Sequence, residues 1–176
     1  SVLYEVPLLL DQLGVGELIL NKLGLQATRK PDMRPWKKLV DEVKKEKPTV
    51  NVALVGKYVE LQDAYMSVRE ALKHAALANG VEISISWVHS ADLEKDKGWD
   101  VVKEADAVLV PGGFGSRGVE GKVLAARYAR ENKVPYLGLC LGMQVMCIEF
   151  ARDVLELEDA NSSEFDRSSP HPVIDL

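Results

Sequence analysis

Four short apolar runs stand out along the chain, each bounded by glycine, proline or polar residues. They predict strands at residues 50–55, 81–87, 107–110 and 134–139. In the second run apolar and polar residues alternate from Val81 to Trp87, which is typical of a half-buried strand near the edge of a sheet.

Between and after these runs, apolar residues recur at helical spacing. This spacing predicts helices at residues 64–79, 119–132 and 143–154. Asp63 and Gly80 are suited to cap the first of these helices at its two ends. Strands that alternate with helices predict an α/β fold of three layers around a parallel, Rossmann-like sheet.

The remaining segments read as helices and connections. Residues 1–30 carry helical spacing broken by glycines, which predicts one or two short helices. After Pro31 and Pro35, a stripe of apolar residues from Trp36 to Val43 predicts a further helix. Residues 89–100 and 158–170 are polar and predict loops, and a new strand is expected from residue 172 onward.

Two unusual loops, Pro111–Gly118 and Leu139–Gln144, directly follow predicted strands. Ligands of parallel α/β sheets bind outside the carboxyl ends of the strands. Because both loops belong to successive strand–helix units, we expect them to open on the same sheet edge. A glycine-rich backbone and a thiol would then face one cavity.

The second loop, with Cys140 between Gly138 and Gly142, has the layout of a nucleophile elbow between a strand and a helix. Side chains two residues to either side of Cys140 would collide in so sharp a turn. The thiol would stand at the start of a helix, where the dipole and free N–H groups favour a thiolate and an oxyanion. The alternative is an inert cysteine buried in a strand-to-helix turn.

The first loop contains a second motif, because residues 113–118 fit the pattern G-x-G-x-x-G of dinucleotide-binding folds. Such folds place an acidic residue about 20 positions further on to hold a ribose. The next predicted strand ends in Leu137, Gly138 and Leu139 and supplies no acid. We therefore interpret Gly112 and Gly113 as a backbone cradle for a small polar ligand.

The composition of the chain argues against several classes of function. The 176 residues are 47% hydrophobic with a net charge of −5, and the basic residues are scattered, which argues against nucleic acid as a partner. No apolar stretch is long enough to span a membrane. The two cysteines, Cys140 and Cys147, form neither a CxxC nor a zinc motif, so we expect no metal and a reducing, cytoplasmic location.

With these motifs in place, the chain resembles the triad-type (class I) glutamine amidotransferases, and within them the branch that aminates UTP to CTP. The stretches that carry the resemblance are residues 52–65, 110–121, 129–144 and 160–166. The resemblance implies that residues 1–25 are the tail of a synthetase domain, that 26–49 are an interdomain linker helix, and that 50–176 are the first part of the amidotransferase domain.

The resemblance also implies roles for residues around the elbow. Cys140 would attack the side-chain amide of L-glutamine, release ammonia and leave a γ-glutamyl thioester that water cleaves. The N–H groups of Gly113 and Leu141 would form the oxyanion hole. The substrate-binding positions would be Gly113, Leu141, Gly142, Met143, Gln144 and Glu164. From the residues alone, Gln144 could equally be an ordinary first-turn helix residue, and Glu164 a solvated loop acid.

Regulation and partners follow from the same resemblance. The loop that senses GTP, the allosteric activator of this branch, would include Phe114, Arg117, Gly118 and Glu120, although Arg117 could also be a plain surface cation. Ammonia would pass to a synthetase domain that phosphorylates UTP with ATP and Mg²⁺, and the full-length protein would be a homo-oligomer, a tetramer.

The general base of this chemistry is not evident in the sequence. The family places it in a His-Pro-Glu motif beyond the cysteine loop, but Val173 follows His171 and Pro172 here. We therefore do not assign His171 as the base. We expect the His-Glu pair to lie beyond Leu176, the nucleotide and magnesium sites to precede Ser1, and the fragment alone to be inactive.

Two other functions stay open. One is a different cysteine-elbow enzyme, either another amidotransferase or a γ-glutamyl hydrolase. The other is a non-catalytic binding domain in which Cys140 is structural.

Overall fold

The computed structural model describes residues 2–175 and divides the chain into two compact units, Ser1–Lys47 and Pro48–Leu176. Two residues of the segments expected from the sequence lie outside the described residues. They are Ser1, the first residue of segment 1–25, and Leu176, the last residue of segment 50–176. No helix among the described residues is long and apolar enough to cross a membrane.

The first unit is helical, as its apolar spacing predicts. A 3₁₀ turn, Leu3–Glu5, leads into α1 (Val6–Gln12) and α2 (Val15–Leu23), and α3 (Arg34–Val43) follows the proline-containing segment. The Trp36 indole donates a hydrogen bond of 2.8 Å to the Tyr4 carbonyl, and Val40 on the same helix is buried. These contacts join α3 to the start of the chain within this unit.

The second unit contains a four-stranded parallel sheet in the order β2-β1-β3-β4, with helices between the strands. Its strands are β1 (Thr49–Gly56), β2 (Glu82–His89), β3 (Ala107–Val110) and β4 (Tyr136–Gly138). Its longer helices are α4 (Met66–Ala78), α7 (Val119–Glu131) and α8 (Leu141–Asp153). The predicted α/β class, the parallel sheet and the edge position of β2 are confirmed.

The predicted start of α4 is wrong. Asp63 does not cap α4, because a 3₁₀ turn, Gln62–Tyr65, comes first and Tyr65 occupies the N-cap position. The reason lies in Tyr65 itself. Its buried hydroxyl accepts hydrogen bonds from the N–H groups of Lys57 (3.0 Å) and Tyr58 (3.2 Å), so it is held against the end of β1 before the helix can begin.

Segments expected to be loops also contain short elements. The polar connection at 89–100 holds α5 (Ser90–Leu93) and the start of α6 (Trp99–Lys103). The segment 158–170 includes β5 (Ala160–Ser162), which pairs in parallel with β6 (His171–Ile174) as a separate two-stranded sheet. The strand expected near Pro172 is therefore present, but it belongs to this small sheet.

The core lies on both faces of the main sheet, because successive strand residues point to opposite sides. On one face, Val108 and Val110 pack with buried residues of α7 and α8. On the other face, Leu54 and Leu109 pack with Tyr65. A sheet covered on both faces is the three-layer arrangement expected from the sequence.

The order of the strands positions the two loops. β3 and β4 are direct neighbours, and their register places Val110 opposite Gly138. Both strands therefore end at the same level, and the segments after them, Pro111–Gly118 and Leu139–Gln144, leave the sheet side by side, as predicted.

Replacement of Ile148 by Ala tests the packing beneath the second loop. This side chain, on α8, is 0% exposed in the core cluster. Ile148→Ala should lower the free energy of unfolding by about 2–5 kcal/mol, and Ile148→Val by about 0.5–1.5 kcal/mol, because each leaves a cavity that closes only in part. Urea denaturation followed by circular dichroism measures both.

Met146→Ala is the matched control for this experiment. Met146 lies on the same helix but is 42% exposed, so its truncation should cost far less than that of Ile148. Equal losses for the two alanine variants would contradict the assigned core.

Candidate active site

Cys140 has an unusual backbone conformation, with φ of 53° and ψ of −112°. Positive φ is uncommon for residues other than glycine, and such strain persists only where the surroundings enforce it. Cys140 occupies the N-cap position of α8, and it is exposed. The chain thus presents a thiol at the positive end of a helix, as the elbow pattern predicts.

Two glycines make this turn possible. A Cβ on Gly142 would lie 1.9 Å from the Val110 carbonyl oxygen, and a Cβ on Gly138 would lie 2.4 Å from the Gly142 carbonyl oxygen. The Tyr136 hydroxyl donates a hydrogen bond of 2.8 Å to that same Gly142 oxygen, and burial raises the pKa of Tyr136 above its ordinary value. The tyrosine therefore keeps its proton and remains a donor.

A second glycine pair lies directly against the thiol. A Cβ on Gly112 would be 3.3 Å from the Cβ of Cys140 and 3.8 Å from its Sγ. The predicted convergence of the two loops is therefore present at atomic contact distance, and it depends on a backbone without side chains at this position.

The backbone N–H groups near Cys140 differ in whether they already donate a hydrogen bond. Those of Met143 and Gln144 donate to the Cys140 carbonyl, at 3.0 and 3.2 Å. Leu141 is the first residue of α8, where an N–H has no partner inside the helix. Within residues 2–175, no hydrogen bond is recorded from the N–H of Leu141 or Gly113. Both donors are therefore available to an oxyanion.

The loop after the glycine pair is held by a lysine that the sequence reasoning did not single out. The Lys57 ammonium, just beyond β1, donates a hydrogen bond of 2.7 Å to the carbonyl oxygen of Phe114. The ring of Phe114 itself is 84% exposed. The sequence signal that could have identified Lys57 is its position directly after a buried strand that ends at this edge of the sheet.

The other residues of this loop have different surroundings. Arg117 is exposed. Gly118 is buried, with φ of 75°, and a Cβ there would be 2.4 Å from the Ser90 hydroxyl, so α5 packs against its backbone. Glu120 forms an ion pair of 2.8 Å with Arg152 on α8.

The proposed substrate residues are only partly brought together. Met143 and Gln144 lie on the first turn of α8, beside Cys140, and Gln144 is half-buried. Glu164 follows β5 and is exposed, and its N–H is bonded to the Ser162 hydroxyl at 3.2 Å. In the described part of the chain, no hydrogen bond or ion pair joins Glu164 to Cys140.

Lys122 is the charged residue nearest to this site that sequence reasoning missed. It lies on α7, is only 1% exposed, and its ammonium donates to the Pro111 carbonyl at 3.3 Å. Burial, helped by the charge of Lys57 and opposed by that of Cys140, lowers the pKa of Lys122 to about 8. The position fell inside a predicted helix with no pattern to mark it as buried.

Neither His89 nor His171 forms a hydrogen bond or ion pair with Cys140 within residues 2–175. His89 ends β2, and its Nδ1 accepts a hydrogen bond from the Ala91 N–H. His171 is exposed on β6, and His74 is exposed on α4. The described residues also contain no group of three or more acidic, histidine or cysteine side chains placed to bind a metal ion.

Comparison with known proteins agrees with this geometry. The family model described as glutamine amidotransferase class-I matches residues 60–175. The chain therefore belongs to the class-I glutamine amidotransferases. Its similarity to proteins of the CTP-forming branch is also clear, because curated CTP synthases match it along its whole length.

The CTP synthase of Dehalococcoides mccartyi is 56% identical over 176 residues, and that of Methanopyrus kandleri is 52% identical over 178 residues. Each alignment includes 100% of this chain but 32% and 33% of the respective relative, so the chain spans about a third of their length. The glutaminase domain of Trypanosoma brucei CTPS, solved with bound acivicin, matches with a TM-score of 0.68 and 43% identity, over 72% of this chain and 50% of that one.

Gly142→Ala tests whether close backbone contact sets the elbow. Because its Cβ would overlap the Val110 carbonyl, we expect a loss of about 1–3 kcal/mol in the free energy of unfolding, together with slower alkylation of Cys140. Urea denaturation and mass spectrometry after iodoacetamide treatment measure the two effects.

Gly16→Ala is the matched control, since a Cβ at this position on α2 has no atom within 4 Å. It should leave the protein as stable or up to about 1 kcal/mol more stable. A Gly142→Ala protein with unchanged stability and alkylation would show that the contact is not needed.

Proposed function

We propose that this chain is the glutaminase part of a CTP synthase and that Cys140 is its nucleophile. The observation that carries the proposal is the strained, exposed Cys140 at the start of α8, in contact with the Gly112–Gly113 turn. The family membership and the whole-length similarity to CTP synthases support the same assignment.

The proposed reaction is consistent with the geometry of this site. The Cys140 thiolate attacks the side-chain amide carbon of glutamine, and the N–H groups of Gly113 and Leu141 receive the oxyanion of the tetrahedral intermediate. Collapse of the intermediate, with proton transfer to nitrogen, releases ammonia and leaves a γ-glutamyl thioester. Water then cleaves the thioester to glutamate and restores the thiol.

Substrate recognition is assigned to neighbours of the elbow. Gly142, Met143 and Gln144 line the glutamine at the first turn of α8, with Gln144 and Glu164 at its α-carboxylate and α-amino ends. A carboxylate suits an ammonium, but Glu164 is exposed beyond β5. Its role therefore needs the loop 163–166 to approach bound substrate.

The GTP site is assigned to the loop after the glycine turn, through Phe114, Arg117, Gly118 and Glu120. The exposure of Phe114 and Arg117 suits contact with a nucleotide base and phosphates. Gly118 and Glu120 contribute differently, because Gly118 packs on α5 and Glu120 is paired with Arg152.

The wider activity is also part of the proposal. Ammonia reaches a synthetase domain, of which residues 1–25 are the tail and 26–49 the link, and that domain uses ATP and Mg²⁺ to convert UTP to CTP. A histidine paired with a glutamate, in another part of the full-length protein, supplies the general base. The protein would act as a cytoplasmic homo-oligomer, a tetramer.

Ammonia release from glutamine by the full-length protein tests this function. Cys140→Ala should reduce the rate by about 10³-fold or more, since loss of a nucleophile removes the covalent route. GTP should raise the rate of the unmodified protein.

Cys147→Ser is the matched control, because Cys147 is half-buried further along α8, with its Sγ 3.8 Å from the Met143 Sδ. It should keep the rate close to that of the unmodified protein. Ammonia release that depends on Cys140 but does not increase with GTP would instead indicate another cysteine-elbow amidotransferase or a γ-glutamyl hydrolase. No release from folded protein would indicate a binding domain.

A further inference from the structure

Among the residues that the structure describes, the buried Lys122 ammonium has no acidic partner. Its residue is 1% exposed, and the only acceptor recorded for it within residues 2–175 is the Pro111 carbonyl oxygen, at 3.3 Å. A lysine ammonium has three donors, and no ion pair with a carboxylate is recorded for it in the described part of the chain. Such burial costs stability unless a negative charge is nearby.

The position of this ammonium relative to the thiol indicates where the negative charge would be. The turn Pro111–Gly113 lies beside both groups. Lys122 is bonded to its first residue, and a Cβ on Gly113 would lie 3.3 Å from the Lys122 Nζ. A Cβ on Gly112 would lie 3.3 Å from the Cβ of Cys140. The ammonium and the thiol therefore lie beside neighbouring glycines of the same turn.

A second cation lies on the same loop. The Lys57 ammonium is bonded to the Phe114 carbonyl, and a Cβ on Gly115 would lie 3.6 Å from its Nζ. After burial, the charge of Lys57 is the next cause that lowers the pKa of Lys122. Among the described residues neither lysine forms an ion pair with a carboxylate, and two such like charges beside one loop make an anion there favourable.

We propose that Lys122 is a positioning residue whose charge, beside the glycine turn, stabilises the anions formed at Cys140, first the thiolate and then the oxyanion of the tetrahedral intermediate. This inference rests on the proposed function of Cys140 as a nucleophile. It differs from a structural role, in which Lys122 would matter only through its hydrogen bond to Pro111.

The positive charge of Lys122 is present at physiological pH and is lost at higher pH. Because the pKa of Lys122 is lowered to about 8 by burial and by Lys57, the ammonium is largely present at pH 7 and largely absent at pH 9.5. The effect of Lys122 on Cys140 must therefore fade as the pH rises through about 8.

The test measures alkylation of Cys140 by iodoacetamide, a neutral reagent, in full-length protein carrying Cys147→Ser. Mass spectrometry gives the rate between pH 6.5 and 9.5. Lys122→Met should be about tenfold slower than its parent at pH 7, since a nearby opposite charge favours an ionised group by a factor of ten or more. The ratio of the parent alkylation rate to the Lys122→Met rate should approach one at pH 9.5. A ratio that is one throughout, or that does not change with pH, would overturn the proposal.

Two further variants separate charge from other effects. Lys122→Gln is neutral but can still donate to Pro111, and it should be slowed like Lys122→Met. If it keeps the parent rate, the hydrogen bond suffices and the proposal is wrong. Lys103→Met removes the same charge from an exposed position on α6 and should leave the rate unchanged.

Thermal unfolding supplies a second readout. Since a buried unpaired charge is costly, Lys122→Met should raise the melting temperature or leave it unchanged at pH 7. The folded-state pKa of Lys122, about 8, lies below the ordinary lysine value. The parent therefore gains stability as the pH rises through 8 toward 10. The difference in melting temperature between Lys122→Met and the parent should narrow over the same range. A melting temperature lowered by Lys122→Met would indicate a structural role and contradict the proposal.

Failure of this inference can be told from failure of the proposed function. If Cys140 in otherwise unmodified protein reacts no faster than Cys147, the nucleophile assignment itself is wrong. If Cys140 reacts rapidly but Lys122→Met changes neither rate nor pH profile, only the role of Lys122 is wrong.

Discussion

The contact between the Val110 carbonyl and the backbone of Gly142 is the constraint on which the site depends. That carbonyl accepts a hydrogen bond of 2.9 Å from the Leu139 N–H, and a Cβ on Gly142 would lie 1.9 Å from it. The end of β3 and the first turn of α8 are thus held in direct backbone contact. Between them Cys140 has a φ of 53°, which is uncommon for residues other than glycine, and the residue is exposed.

The parallel sheet brings the second loop next to this constrained turn. Because β3 and β4 are adjacent and end at the same level, the backbone turn after one strand lies against the thiol that follows the other. We propose that the N–H groups of Gly113 and Leu141 receive the charge that develops on a bound amide. The lysines at 57 and 122 add positive charge beside this turn, so the loop favours negative charge before any substrate arrives.

Much of the fold and the outline of the site were predictable from sequence because they depend on local signals. Apolar periodicity located the four strands and the main helices, and the glycines around Cys140 reported a steric requirement that the structure reproduces. The start of α4 was not predictable, since Tyr65 is held by a tertiary contact with Lys57 and Tyr58. Strand β5 was missed for a different reason, because three residues give too little periodicity to recognise, and its pairing with β6 was therefore not predicted either.

Lys122 shows the limit of pattern reasoning most clearly. A lysine within a predicted helix is expected on its solvated face, and only the packing of α7 against the sheet reveals that this one is buried. The roles of Gln144, Glu164 and the loop residues Phe114 and Arg117 come from family resemblance, since their own surroundings do not distinguish ligand contact from ordinary surface positions.

The most direct test of the central claim is to trap the intermediate. Full-length protein would be mixed with glutamine, quenched in acid and digested, and the peptides examined by mass spectrometry. The account predicts a γ-glutamyl thioester on the peptide that contains Cys140, and its absence in Cys140→Ala. Hydrolysis of glutamine with no adduct on Cys140, or with the adduct on another residue, would contradict it.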